Sequence, residues 1–232
     1  MFSVEDMRSV WRTLDRRTTA DIALVCAADA LVGASFGAIS VSGGLPSWLP
    51  VALSLLVFAG GAQFAAVGAV LAGGSAASGV VAGLVLNARL LPFGIAVADV
   101  LGTRWPGRLL GAHLVVDESV AFTIRQDDPH HRRAAFWVTG VSLFVVWNLA
   151  VLGGVLAGRC LRDTGAIGLD AAFPAVLLAL VLPTFTERTR RPAVLGAVLA
   201  VAATTVLPPG LPVLVSLLGL ALVLRRSKVA AS

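Results

Sequence analysis

The sequence predicts an all-α membrane protein, a polytopic helical bundle of seven to eight spans, some of them short or broken. Three observations predict it. Of the 232 residues 57% are hydrophobic and the mean hydropathy is +0.90, too apolar for a soluble globule of this length. Charged residues are only 13% of the chain, and they cluster between long uncharged stretches. Several of those stretches approach the roughly 20 apolar residues that carry a helix across hydrocarbon.

The chain opens on a mixed-charge segment, 1–21, where a cleavable signal peptide would begin with a short basic region and an apolar run. Val4, Met7, Trp11 and Leu14 recur there at helical spacing, with arginines on other faces. That pattern suits a cytoplasmic amphipathic helix at the membrane surface, or else a partly ordered tail. Residues 22–226 form the membrane domain, and 227–232 a cytoplasmic tail.

Seven strong spans follow in order: 22–41, 49–72, 75–100, 134–156, 171–183, 193–206 and 211–224. Pro50 and Pro174 sit near span starts, where a missing N–H costs little. Pro92 lies inside its span, frees a carbonyl and predicts a kink. The segment after Gly168 is short, either tilted or broken and sheltered by protein.

An eighth segment, 109–124, is interrupted by His113, Asp117 and Glu118. Charge bias arbitrates. With seven crossings and the N-terminus inside, Arg125, Arg132, Arg133, Arg188, Arg190, Arg191 and the Arg225–Lys228 tail would all face outward, against the positive-inside rule. If 109–124 crosses, those clusters join Arg8, Arg12, Arg16 and Arg17 inside. Eight crossings with both termini cytoplasmic is the preferred topology, and a re-entrant hairpin is the alternative. A faint repeat aligns the stretch from Gly44 with that from Gly168, a match that apolar low complexity can also produce.

Polar side chains at membrane depth are functional candidates by default, because hydrocarbon offers them no hydrogen-bond partner. Arg89 is the sharpest, since its planar guanidinium can hold a carboxylate through two parallel hydrogen bonds. The competing reading has it snorkel to an interface or neutralise Asp29 or Asp99. Asn87 is about 200° from Arg89 on a regular helix, so the two share a site only if that helix unwinds. Gln63 follows Gly60 and Gly61, and either binds an amino-acid headgroup or bridges two helices. Asp29, Asp117 and Glu118 are candidates for an ammonium or a coupling proton. His113, four residues before Asp117, would share its face on a continuous helix.

Other patterns carry less. His130 and His131 in DDPHHRR read as a hydrated loop, and Cys26 and Cys160 form no metal spacing or disulfide framework. No cofactor or metal is expected. Gly33-Ala34-Ser35-Phe36-Gly37 matches the nucleophile-elbow string G-x-S-x-G, but it lies in an apolar helix with no histidine in a strong span. Gly33 and Gly37, like Gly79 and Gly83, make better sense as small-residue packing faces.

FAGGAQF at 58–64, NAR at 87–89, DES at 117–119 and GLDAAFPAVLLAL at 168–180 together resemble the AzlC family, large subunits of bacterial branched-chain amino acid exporters. The resemblance runs from about Gly33 to Pro183. It implies that 22–226 is a membrane transport domain in the bacterial cytoplasmic membrane, exporting leucine, isoleucine, valine and perhaps methionine. It also implies a small hydrophobic AzlD-like membrane subunit as partner. No nucleotide-binding loop such as GxxxxGK[ST] is present, so the resemblance implies secondary, proton-coupled transport and no enzymatic activity. A scaffold or regulatory subunit is the alternative. Where similar members carry Pro-Phe-Gly this chain has Ser35-Phe36-Gly37, which predicts a straighter first span.

Overall fold

The computed structural model describes residues 13–102, 104–160, 187–207 and 215. Every regular element among them is helical: α1 (Arg16–Ser42), α2 (Trp48–Leu56), α3 (Gly60–Leu71), α4 (Ala76–Asn87), α5 (Leu90–Ala96), α6 (Trp105–His113), α7 (Asp117–Ile124), α8 (Pro129–Cys160) and α9 (Glu187–Ala203). The expected span 171–183, all of 211–224 except Val215, residues 1–12, the second copy of the faint repeat and the 227–232 tail lie outside the described residues. Among the described residues, three stretches are long and apolar enough to cross a membrane: Arg16–Ser42, Ala76–Ala96 and Pro129–Arg159. Gly60–Leu71 and Ala193–Ala203 are apolar but shorter.

The first helix begins at Arg16 because Asp15 caps it, accepting the Thr18 N–H at 3.1 Å. It ends where the Gly43 N–H bonds to the Ile39 carbonyl and Gly44 turns left-handed at φ 96°. Between these caps it runs unbroken, as the serine at position 35 predicts.

Three expected spans are interrupted, and the first of these corrects the reading of 49–72 as a single helix. The Val57 and Phe58 N–H groups both converge on the Leu53 carbonyl, at 2.9 and 3.4 Å, and Phe58 takes φ 43° before α3 starts. The expected 75–100 helix breaks at Ala88 and Arg89 and its last turn ends at Ala96. Proline explains that break. Pro92 has no N–H for the Ala88 carbonyl, which accepts from Leu91 at 3.2 Å instead. Segment 109–124 is two short helices joined through extended residues at 115–116, and neither alone reaches across a bilayer. Broken helices of this kind persist at membrane depth only where protein or a cavity satisfies the freed backbone.

The described chain divides into two compact units. The first comprises Met1–Gly60 and Asn87–Arg162, and its frame is α1 against α8. The two helices approach backbone to backbone: a Cβ on Gly37 would strike the Val151 carbonyl, and one on Gly154 the Ala34 carbonyl. Gly33 faces the Trp147 ring and Gly158 the Ala38 backbone. Lipid is as apolar as the side chains, so close van der Waals contact has to hold such helices together. Phe36 stacks on Trp147 with centroids 6.2 Å apart. Helices α2 and α7 also pack on α8. Arg132 grips Asp99 through Nε and Nη2 at 3.1 and 3.2 Å, and the Trp137 indole donates to the Val100 carbonyl at 3.1 Å, tying the chain after α5 to α8.

The second unit comprises Gly61–Leu86 and Asp163–Ser232. Within it α3 and α4 meet through small residues, a Cβ on Gly79 coming within 2.9 Å of the Ala66 carbonyl. Both glycine pairs read from the sequence as packing faces therefore serve as such. Gln63 and Phe64 are fully buried in this unit.

Candidate functional site

The breaks in α4/α5 and α6/α7 bring two of the first unit's candidates, Arg89 and Asp117, together. Arg89 occupies the α4/α5 break immediately before α5, while Asp117 is the first residue of α7. Arg89 Nη1 lies 2.7 Å from Asp117 Oδ2, and the side chains stay 46% and 40% exposed. Neither Asp29 nor Asp99 is the ion-pair partner of Arg89, and Asp99 belongs to Arg132. The pair is single-pointed. Asp117 Oδ1 is buried with no hydrogen-bond partner, and so is Asn87 Oδ1, two residues before Arg89.

The α6/α7 break is built by Ser119. Its hydroxyl accepts the Val116 N–H at 3.0 Å and donates to the Leu114 carbonyl at 2.8 Å. These bonds satisfy backbone groups that the interrupted helix leaves over, and they fix where α7, and so Asp117, begins. An acidic residue in a helix's first turn also interacts favourably with the amide dipoles. Glu118 follows, close enough to Arg89, Asp117 and Asp29 to interact with their charges. Arg89 thus stands beside two carboxyls, Asp117 and Glu118, and Asp29 lies beyond Glu118.

The α2/α3 break packs against the end of α6 and against α8. Phe58 is buried, lies edge-on to Phe144 at 5.1 Å and tilts against the His113 ring at 6.0 Å; His113 in turn lies against Phe144 at 5.6 Å. The helical i,i+4 relation expected between His113 and Asp117 does not hold, because the backbone between them is extended. Left-handed backbone at a bulky aromatic is strained, and such strain concentrates at functional sites.

Five further residues take part. Ser119 stands inside DES, and Ser two or three residues into a helix commonly turns back on the backbone. Phe58 gave no signal, since nothing in an aromatic residue announces positive φ. Asn148, a lone amide in its span, accepts from Ser54 Oγ at 2.7 Å and donates to the Phe144 carbonyl at 2.7 Å, fixing α2 on α8. Gly154 and Gly158 carry the four-residue spacing that marked Gly33 and Gly37.

Elsewhere the geometry removes alternatives. Ser35 Oγ donates to the Leu31 carbonyl at 2.8 Å within unbroken helix, which is no nucleophile elbow. His130 and His131 belong to the first turn of α8 rather than a loop, with both N–H groups on Asp128 Oδ1 at 2.9 and 3.0 Å. The His131 backbone and then its ring hold the Asp128 carboxyl below the usual carboxylate range. Among the described residues no group of three or more His, Cys, Asp or Glu side chains is placed to hold a metal ion. Gln63 belongs to the second unit.

The family model described as "AzlC protein" matches residues 25–161, more than half of the chain. The chain belongs to the AzlC family. The matched residues include Asp29, Gln63, Asn87, Arg89, Asp117 and Glu118, while the stretch from Gly168 falls beyond them. No curated protein and no solved structure gives a significant match. As an AzlC protein with long apolar helices, the chain is a membrane protein of a transport-associated family.

Proposed function

We propose that this AzlC protein is the large subunit of a two-component exporter of branched-chain and other small apolar amino acids. It works by proton-coupled secondary transport in the bacterial cytoplasmic membrane, with both termini cytoplasmic and a small hydrophobic AzlD-like subunit beside it. The observation that carries the reading is the half-open Arg89–Asp117 pair where interrupted helices meet. Transporters place substrate at broken helices near the midplane, where freed backbone and polar side chains face a cavity.

An α-amino acid carries the same two charges as the resting pair. Its carboxylate can take the Arg89 guanidinium in a two-pronged grip, and its ammonium can take Asp117. Exchanging one ion pair for two leaves the net charge of the site unchanged, which limits the cost of loading a charged headgroup in low dielectric. Asp29 and Glu118 are the proton-coupling pair: a proton held by either relieves their mutual repulsion. The reading uses residues of the first unit alone.

The ion pair also favours a second reading, in which it is a structural clasp in a scaffold or regulatory subunit. Vesicles containing both subunits separate the two. Export predicts accumulation of leucine, isoleucine or valine against a gradient, abolished by a protonophore and by Arg89→Ala at normal membrane abundance. A scaffold predicts no ligand-dependent stabilisation and no such accumulation, and that result would sink the exporter reading.

A further inference from the structure

Helix α5 buries none of its seven residues. Leu91 is 73% exposed and Ile95 79%, so side-chain burial does not fix its direction. Nor does continuity with the helix before it, because Pro92 denies the Ala88 carbonyl its helical partner. The fixing points are at its two ends. At the first, Arg89 Nη1 meets Asp117, the residue that opens α7, and α5 lies beside α7.

The other end is held from α8. Arg132 Nη2 donates to the Ala96 carbonyl at 3.4 Å. The same guanidinium takes both oxygens of Asp99, with Nε on Oδ2 at 3.1 Å and Nη2 on Oδ1 at 3.2 Å. An arginine at a helix C-terminus also meets the carbonyl end of the amide dipoles with the favourable sign. Trp137 donates to the Val100 carbonyl at 3.1 Å, and Val97, Val100 and Leu101 are buried. The two ends are unequal. The Arg132 clasp is two-pronged with its arginine 21% exposed, whereas the Arg89 contact is single-pointed with its arginine 46% exposed. The closed end therefore sits on the α1–α8 frame and the open end at the candidate site.

We infer that Arg132 and Asp99 are positioning residues for Arg89: their clasp anchors the far end of α5 to α8, and the helix carries that anchor to the guanidinium. Seven residues at 1.5 Å each make a strut about 10 Å long. When a substrate carboxylate draws Arg89 from Asp117, α5 stays attached at its α8 end and the guanidinium stays aimed. Recognition groups must be held to within about 0.5 Å by the residues around them, and here the distant clasp supplies that hold. Neither Arg132 nor Asp99 needs to touch substrate.

This inference rests on the carboxylate-binding role of Arg89 proposed above, and the test keeps the two apart. Vesicles carry the full chain with its small subunit, and two quantities are read. One is leucine transport. The other, which needs no substrate, is the distance distribution between spin labels at Leu91→Cys and Leu149→Cys, two exposed positions on α5 and α8, in a chain carrying Cys26→Ala and Cys160→Ser. Arg132→Ala should raise the KM for leucine about tenfold or more, keep the maximal rate per inserted protein within about twofold, and broaden the label distances. Arg132→Lys, a point charge in place of the fork, should fall between. Ile95→Ala should move neither quantity. Asp99→Ala removes the clasp at a more exposed side chain, so it gives the same two readings where Arg132→Ala fails to insert, and both must move in the same direction. Sharp label distances without the clasp overturn the anchor, as does equal broadening in Ile95→Ala. An unchanged KM without the clasp, alongside lost transport in Arg89→Ala, reduces Arg132 to a structural tie and leaves the Arg89 reading standing. Unaffected transport in Arg89→Ala removes that reading, while the label distances still decide the anchor.

Discussion

Arg89 and Asp117 face each other at 2.7 Å across two helix breaks, far apart in sequence and both still substantially exposed. The contact joins a break made by proline to one made by serine. Neither side chain is sealed by its partner, because Asp117 Oδ1 has no partner and the guanidinium side chain stays 46% exposed. That distinguishes the arrangement from a saturated structural clasp, and it frames four expectations.

Replacing Arg89 with lysine keeps a positive charge but loses the planar fork. The ammonium would be a point charge with a different reach, so transport should fall about tenfold or more while membrane abundance stays normal. Initial rates in vesicles, normalised to protein inserted, measure it. Wild-type rates in Arg89→Lys would show that charge alone suffices.

Ser119→Ala removes the hydroxyl that satisfies the Val116 N–H and the Leu114 carbonyl. Leaving buried backbone groups unpaired should cost about 1–3 kcal/mol, seen as a lower unfolding temperature in detergent. Because the start of α7 also shifts Asp117, the apparent KM should rise more than the maximal rate falls.

Close approach of α1 and α8 predicts a sharp contrast between neighbouring glycines. Gly37→Ala and Gly154→Ala each drive a Cβ into a carbonyl of the opposite helix and should destabilise by about 1–3 kcal/mol. Gly153→Ala, whose Cβ would meet nothing within 4 Å, should be neutral. Thermal unfolding of the three variants side by side checks this, and equal effects would contradict the packing described.

Asp128 caps α8 from outside the membrane stretch, and its carboxyl sits below the usual carboxylate range because it accepts from His131 and His130. A depressed acid contributes stability at pH above its unfolded value and loses it as pH falls through the folded one. Amide exchange at His130 and His131 should therefore stay protected from neutral pH down to below 3.8, the value of an unperturbed carboxyl, and speed up only beneath it. Asp128→Ala should remove that protection at every pH.

How much of this the sequence revealed depends on the range of the cause. The helical membrane class follows from composition, because burial of apolar side chains in lipid needs no knowledge of neighbours. The break at Ala88–Arg89 is foreshadowed by Pro92, whose missing N–H acts within one turn, and the packing at Gly33 and Gly37 by four-residue spacing. The tertiary structure alone decided that Phe58 turns left-handed and that Arg89 chooses Asp117 over Asp29 or Asp99. Both depend on what distant segments place nearby: Phe58 has the Phe144 and His113 rings around it, and the guanidinium pairs with the carboxylate that α7 presents. Local preference sets where a helix can break, whereas long-range packing sets which charges then meet.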